Sequence, residues 1–254
     1  MRSRRRVPWT LAAITAVTVL AYRSDSVAYA LEDRSPLDPP GRSAIEAWRP
    51  LTGHAVHGSL LHLVYNLTLL VPLLLWRERR FGSRRTLLEY LILAASVALG
   101  VRLLHEGWTS YRGLSGVAYG FLALYLLHVA RTPNTDGAPR RWHALPLLVL
   151  AAITTKTLLE CAAGGWILRG DDVGKSLGVV LLPGAHLAGL VAATVLHTIQ
   201  DGQRSPDDRT QGAASSRADL AGSAAPSRAP ITATPDAPAR RSSSTQSSRT
   251  PPSA

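Results

Sequence analysis

The sequence predicts an all-α, polytopic membrane protein, a bundle of six transmembrane helices with a disordered C-terminal tail. Three observations predict it: repeated apolar runs of membrane length, an uneven distribution of arginine between the loops, and a tail of different composition. The apolar runs exclude an ordinary soluble domain. The single cysteine, Cys161, excludes a disulfide framework and a cysteine-rich metal site.

Six runs with few charged residues follow one another along the chain. Most of them approach the roughly 20 residues that a helix needs to cross a hydrocarbon core of about 30 Å. The polar residues within these runs favour a bundle with a wet interior over single spans that face lipid. The runs are Val7–Tyr22, Leu60–Trp76, Thr86–Leu104, Leu114–Ala130, His143–Ala163 and Leu177–Gln200.

The basic residues of the predicted loops indicate the orientation. With the N-terminus in the cytoplasm, 12 basic residues lie in the cytoplasmic connections and 8 on the opposite side. The cytoplasmic set includes the arginines between the second and third runs, Arg77, Arg79, Arg80, Arg84 and Arg85. Because short cytoplasmic loops are enriched in lysine and arginine, both termini are predicted to be cytoplasmic. The net charge of +11 is thereby explained without a nucleic-acid partner.

The two ends of the chain differ in what the sequence predicts. Residues 201–254 contain no Phe, Trp or Tyr but 11 Ser, 7 Pro and 7 Arg. Such a segment cannot bury enough apolar surface to offset its chain entropy, so we expect a disordered tail after a membrane domain of residues 1–200. At the N-terminus, the arginine-rich start, the apolar run and Ala28-Tyr29-Ala30 are also compatible with a cleavable signal peptide.

Three polar clusters interrupt the apolar runs, where unpaired polar groups are costly. The first contains His54, His57, His62 and Asn66, and the spacing of His62 and Asn66 puts them on one face of a helix. The second, Gly113-Leu114-Ser115-Gly116, puts a serine at a helix N-terminus, where free N–H groups favour a developing negative charge. The third, residues 184–189, contains a histidine between glycines.

Taken one by one, these clusters also have structural interpretations. A serine that opens a helix is usually an N-cap, and a histidine in a span usually bonds to a neighbouring helix. Ala185 and Gly189 would allow close helix packing. No His-Glu-x-x-His motif is present, so neither a metal nor another cofactor is predicted.

Taken together, the clusters predict acyl transfer. That reaction needs an activated hydroxyl, a base and donors aimed at the oxyanion, and Ser115, His186 and the pair His62/Asn66 are side chains of these kinds. Val117 stands where the nucleophile elbow of a soluble hydrolase has its second glycine, which argues against an α/β-hydrolase.

The motifs resemble those of the rhomboid intramembrane serine proteases. His62-x-x-x-Asn66, Gly113-Leu114-Ser115-Gly116 and Ala185-His186-x-x-Gly189 occur in the family's order, within residues 7–200. The resemblance implies a Ser115–His186 dyad, with the oxyanion held by the Ser115 N–H and by His62 and Asn66. It further implies that Tyr119 packs against His186 and that His57 lies near the mouth of the site.

Residues 44–57 and the pair Lys156 and Glu160 look like the rhombosortase branch of the family. That branch is inferred to process proteins with a C-terminal anchor, made of a Gly-Gly-containing motif, an apolar helix and a basic end. Lys156 and Glu160 are also four residues apart, the spacing of an ion pair that neutralises itself within the bundle, and we favour that interpretation over a direct substrate role.

The sequence thus predicts a multi-pass serine endopeptidase of a bacterial inner (cytoplasmic) membrane, whose partners are the lipid bilayer and membrane-anchored protein substrates. Two other classes stay open. One is a catalytically inactive rhomboid-like protein that binds membrane clients. The other is a small transporter, which is disfavoured because the sequence shows no repeated halves.

Overall fold

The computed structural model describes residues 7–34, 48–104, 110–131, 144–163 and 182–202, and these are overwhelmingly helical. The prediction of an all-α bundle is confirmed. A 3-10 turn, Gly53–Ala55, separates the third and fourth helices. The helices are α1 (Trp9–Arg23), α2 (Asp25–Leu31), α3 (Arg49–Thr52), α4 (Leu60–Phe81), α5 (Ser83–Leu104), α6 (Ser115–Arg131), α7 (Ala144–Ala163) and α8 (Pro183–Gly202).

The burial pattern is that of a membrane protein. By length and composition, α4, α5 and α7 can each cross a membrane, and α1 is a shorter apolar helix. Large apolar side chains point outward, with Leu103 71% and Leu148 64% exposed, whereas Glu89 is 1% exposed. Apolar side chains on the outer face and paired charges inside the bundle are the distribution expected in a lipid bilayer, so this pattern indicates an integral membrane protein.

The centre of the bundle is the packing of α6 against α8, and α5 packs against both of these helices. Val97 of α5 and Val117 of α6 are fully buried in the core, as is Ala193 of α8. Gly116 of α6 and His186 of α8 are likewise buried, so these residues contact protein rather than lipid.

Near the turn between α4 and α5, the structure differs from the sequence-based prediction for Arg77. The second apolar run was predicted to end at Trp76 with Arg77 in a loop, but α4 continues to Phe81 and Arg77 is only 1% exposed. Its guanidinium binds both carboxylate oxygens of Glu89 on α5, with Nε and Nη2 each at 2.6 Å. A bidentate pair provides the hydrogen bonds that a buried arginine needs, so the helix continues through it.

Arg77 still lies near the C-terminal end of α4, the end that the sequence assigns to the cytoplasmic side. The predicted bias of basic residues toward that side is therefore unchanged. The bounds of α1, α5, α6 and α7 agree within a few residues with the predicted runs, whereas α2 and α3 correspond to no predicted run and α8 begins later than predicted. That helix begins at Pro183, and residues 177–181 of the predicted last run lie outside the described residues.

The first helix is attached to the bundle by a carboxylate. Glu78 of α4 accepts hydrogen bonds from the backbone N–H groups of Thr10 (2.7 Å) and Leu11 (3.0 Å). These N–H groups belong to the first turn of α1, where backbone N–H groups have no hydrogen-bond partners within the helix. A negative charge there is further stabilised by the helix dipole. Glu78 therefore fixes the N-terminus of α1 against α4.

Two short strands, β1 (Asp33–Arg34) and β2 (Ser110–Tyr111), form an antiparallel pair that the sequence analysis did not predict. The pair joins the segment after α2 to the segment just before α6. The predicted disordered tail lies outside the described residues, apart from positions 201 and 202, which complete α8.

Candidate active site

Ser115 is the first residue of α6, as the sequence predicted for the second polar cluster. Gly113, two residues before Ser115, has a φ of +107°, a left-handed conformation that favours glycine. This sharp entry places Ser115 in the first turn, where the backbone N–H groups have no partners within the helix. Ser115 is partly buried, between the fully buried Leu114 and the buried Gly116.

The histidine of the third cluster lies in the first turn of α8. His186 is 4% exposed, and its ring stacks on that of Tyr119, one turn after Ser115. The two rings are 4.2 Å apart between centroids and inclined by 7°. This is the contact that the sequence analysis expected between these two residues. His186 therefore lies beside the turn of α6 that Ser115 begins.

Glycines bring α6 and α8 into backbone contact at this level. A Cβ atom at Gly116 would lie 2.7 Å from the carbonyl oxygen of Ala185, the residue before His186. A Cβ atom at Gly189 would lie 2.0 Å from the carbonyl oxygen of Gly116. No side chain fits between the two helices here, so the separation of Ser115 and His186 is set by backbone packing.

His62 and Asn66 lie on one face of α4, against the loop that leads into α6. A Cβ atom at Gly113 would lie 2.6 Å from Cε1 of His62 and 3.5 Å from Nδ2 of Asn66. Both side chains are about 6% exposed. Among the described residues, Nδ1 of His62 and Nδ1 of His186 have no hydrogen-bond partner. The structure thus brings a hydroxyl, two imidazoles and a carboxamide to one end of the bundle.

His57 orients Asn66. Its Nδ1 lies 3.1 Å from the carbonyl oxygen of Ala55, and its Nε2 lies 2.9 Å from Nδ2 of Asn66. A carbonyl only accepts and an amide nitrogen only donates, so Nδ1 carries the proton and Nε2 accepts from Asn66. Burial lowers the pKa of His57 to about 4, which keeps this neutral tautomer at physiological pH.

Lys156 and Glu160 of α7 form the ion pair that their spacing predicted, with Nζ and Oε1 2.6 Å apart. Glu160 is fully buried. α7 packs against both α6 and α8, the helices that contain the stacked rings of Tyr119 and His186. A pair of opposite charges is less costly inside a membrane bundle than either ion alone.

This arrangement can support acyl transfer, and the comparison with known proteins identifies the family. A model of the rhomboid domain matches residues 44–200, more than half of the chain and all three polar clusters. The chain belongs to the rhomboid family. Rhomboid-like protease 3 of Toxoplasma gondii is 31% identical over 83 residues, which are 33% of this chain and 31% of that relative. The chain thus matches about a third of that protein's length.

One further residue holds the site of this rhomboid chain together and was given no role by the sequence analysis. His54 is fully buried, with Nε2 2.9 Å from the carbonyl oxygen of Ala94 and Nδ1 3.4 Å from that of Gly113. It links α5 to the loop before Ser115. Its place in the first polar cluster was visible in the sequence, but its partners lie 40 and 59 residues away.

Proposed function

We propose that this rhomboid-family protein is an intramembrane serine endopeptidase that cleaves membrane-anchored proteins near a transmembrane segment. The observation that carries the proposal is the position of His186, beside the turn of α6 that begins with Ser115. Ser115 supplies the hydroxyl and His186 the imidazole that nucleophilic catalysis requires. Membership of the rhomboid family supports the same conclusion.

The proposed reaction uses Ser115 as nucleophile and His186 as general base. His186 takes the proton from the Ser115 hydroxyl while Oγ attacks the carbonyl carbon of the substrate peptide bond. The tetrahedral intermediate expels the amine, which takes the proton from His186, and an acyl-enzyme ester remains. Water then attacks the ester with His186 again as base, releasing the acid and restoring the serine.

The oxyanion of the tetrahedral intermediate is assigned to three donors, the Ser115 backbone N–H and the side chains of His62 and Asn66. A donor of this kind contributes about 3 kcal/mol to transition-state stabilisation. The bond from Asn66 to His57 supports the assignment, because it fixes the amide plane and leaves the second N–H of Nδ2 for the substrate. Gly113 leaves room for His62 to approach, and Gly116 does the same for α8.

We also propose an orientation and a substrate class. The loop charges favour cytoplasmic termini in a bacterial inner membrane, which puts Ser115 near the outer side. The resemblance of residues 44–57 and of Lys156/Glu160 to rhombosortases favours clients held by one C-terminal helix. Glycines just before that helix would suit a protease, because glycine weakens helix by roughly 1 kcal/mol per residue. The client would end in arginine or lysine.

Labelling by a serine-directed fluorophosphonate tests the activity. We expect labelling of the native protein, loss of labelling in Ser115→Ala and in His186→Ala, and the same pattern for cleavage of a single-span substrate. Nucleophile and base act as one unit, so losing either should cost nearly as much as losing both. A folded native protein that neither labels nor cleaves would instead identify an inactive client-binding member of the family.

The substrate class has its own test. Membrane and released proteins are compared in cells with and without the gene. We expect proteins with a glycine motif before a C-terminal anchor to be retained in the membrane when the gene is deleted. Accumulation only of proteins with N-terminal or internal spans would contradict the rhombosortase-like substrate class and leave the protease activity standing.

A further inference from the structure

The loop that precedes Ser115, residues 110–114, is held by contacts from distant parts of the chain. Its first two residues form β2 and pair with β1, in the register Tyr111 with Asp33 and Ser110 with Arg34. The Tyr111 ring also meets His54 edge-on, with centroids 5.1 Å apart. These contacts fix the beginning of the loop, and residues 112–114 connect it to the first turn of α6.

Arg112 is the charged residue of this connection, and it is paired with Glu32. Nε of Arg112 lies 2.8 Å from Oε1 of Glu32, and Nη2 binds the same oxygen. Glu32 is 8% exposed, whereas the Arg112 side chain is 44% exposed. The carboxylate is therefore held within the protein, and the arginine reaches in from the surface. We call this ion pair the Glu32–Arg112 tether.

Glu32 is itself firmly placed. Glu32 directly follows α2, and its N–H donates to the carbonyl oxygen of Ala28 in that helix. Its own carbonyl oxygen accepts a hydrogen bond from Nη1 of Arg49 at 3.1 Å. Thr52 donates to the carbonyl of the preceding Leu31 at 2.9 Å. Arg49 and Thr52 belong to α3, which continues into the turn that contains His54. Since His54 contacts the Gly113 carbonyl, these segments form a closed ring of contacts.

We propose that Arg112 is a positioning residue for catalysis, which acts through the Glu32–Arg112 tether by keeping Gly113 against His62 and the Ser115 N–H in place. The inference rests on the proposed function. Gly113 lies one residue after Arg112, so a shift of the arginine moves the backbone at the oxyanion site directly. A misplacement of about 1 Å at a reacting centre can lower the rate as much as 100-fold.

The tether lies at the rim of the bundle, so its loss should affect the rate more than the fold. Loss of a partly exposed ion pair changes the equilibrium constant of the contact that it stabilises by a factor of about five. We therefore expect kcat to fall about five-fold in Arg112→Gln and in Glu32→Gln, with little change in KM or in the unfolding temperature. The double variant Glu32→Arg/Arg112→Glu restores the pair with reversed charges and should recover more than half of the lost kcat.

Arg131→Gln is the matched control. Arg131 is the last residue of α6, and it pairs with Asp201 on α8 at the opposite end of the bundle. Its side chain is 50% exposed, close to the value for Arg112. The control therefore removes a partly exposed arginine–carboxylate pair at the other end of α6, far from Ser115. We expect its kcat to equal that of the native protein.

The measurements are kcat and KM for a single-span substrate in lipid vesicles, together with hydrogen exchange of the backbone amides of residues 111–115. Faster exchange at these amides in Arg112→Gln, with a lower kcat that the charge-reversed pair recovers, would support the proposal. An unchanged kcat in both single variants, or a double variant no better than either, would overturn it.

The exchange measurement separates this inference from the proposed function. If the native protein neither cleaves nor reacts with a fluorophosphonate, the proposed function fails by itself. The role of Arg112 in holding the loop is then decided by exchange alone. Faster exchange in Arg112→Gln than in Arg131→Gln supports it, and equal exchange overturns it.

Discussion

Replacing Gly189 by alanine tests whether backbone contact between α6 and α8 sets the catalytic geometry. The new Cβ atom would lie 2.0 Å from the carbonyl oxygen of Gly116 and 3.0 Å from its carbon. Ordinary contact begins at 3.4 Å, so the helices must separate by the difference of about 1.4 Å. The obstructing atoms belong to the backbone of a buried helix and cannot rotate away as a side chain would.

Two effects of Gly189→Ala follow from this separation. Overpacking of a well-packed core lowers stability by about 1–3 kcal/mol. Displacement of His186 from the turn that Ser115 begins should also lower kcat about 100-fold, because reacting groups tolerate little misplacement. We therefore expect a protein that still inserts and folds but reacts very slowly.

The assay is the rate of fluorophosphonate labelling in detergent, measured beside the thermal unfolding temperature. Gly202→Ala is the matched control, since it makes the same change in the same helix and a Cβ atom there meets nothing within 4 Å. Gly120→Ala is an intermediate case, because its Cβ atom mainly meets the movable Leu93 side chain at 2.8 Å. If Gly189→Ala labels as fast as Gly202→Ala, the backbone-contact argument is refuted.

Three further predictions concern other parts of the molecule. Asn66→Ala and His62→Ala should each lower kcat by about 100-fold or more, with little change in KM or folding, because both side chains act only in the transition state. Cleavage at the native rate by both variants would contradict the oxyanion assignment. Arg77→Gln should lower the free energy of unfolding in detergent by about 3 kcal/mol, because it leaves Glu89 buried beside one partly exposed arginine. The matched variant Arg85→Gln should lower it by less than about 1 kcal/mol. Equal losses in the two variants would show that burial of the ion pair is not decisive. A tag at Ala254 should resist protease added outside intact cells, and its removal there would overturn the proposed orientation.

Much of the helical framework could be predicted from the sequence because helix formation in a membrane depends mainly on the local sequence. Backbone groups in lipid must bond within their own segment, so an apolar run of sufficient length forms a helix wherever it packs. The positions of Ser115 at a helix start and of His62 and Asn66 on one face follow from the same local geometry. Likewise, the Lys156–Glu160 pair requires only its spacing of four residues.

Predictions failed or were missing where a residue's environment depends on a distant segment. Arg77 was expected in a loop because a charge normally ends an apolar run, but Glu89 on the next helix binds it and α4 continues. Similarly, nothing in the local sequence of Glu32 indicates Arg112, which lies 80 residues later.

What the sequence by itself determined is the set of long apolar helices, the order of the motifs and the chemical groups that they contain. The tertiary structure decided which groups meet. Ser115 and His186 come together because Gly116 and Gly189 allow two backbones to touch, and Gly113 can lie against His62 because its loop is held by β1, His54 and Glu32. The physical reason is range: helix hydrogen bonds span four residues, whereas these contacts depend on how whole helices pack.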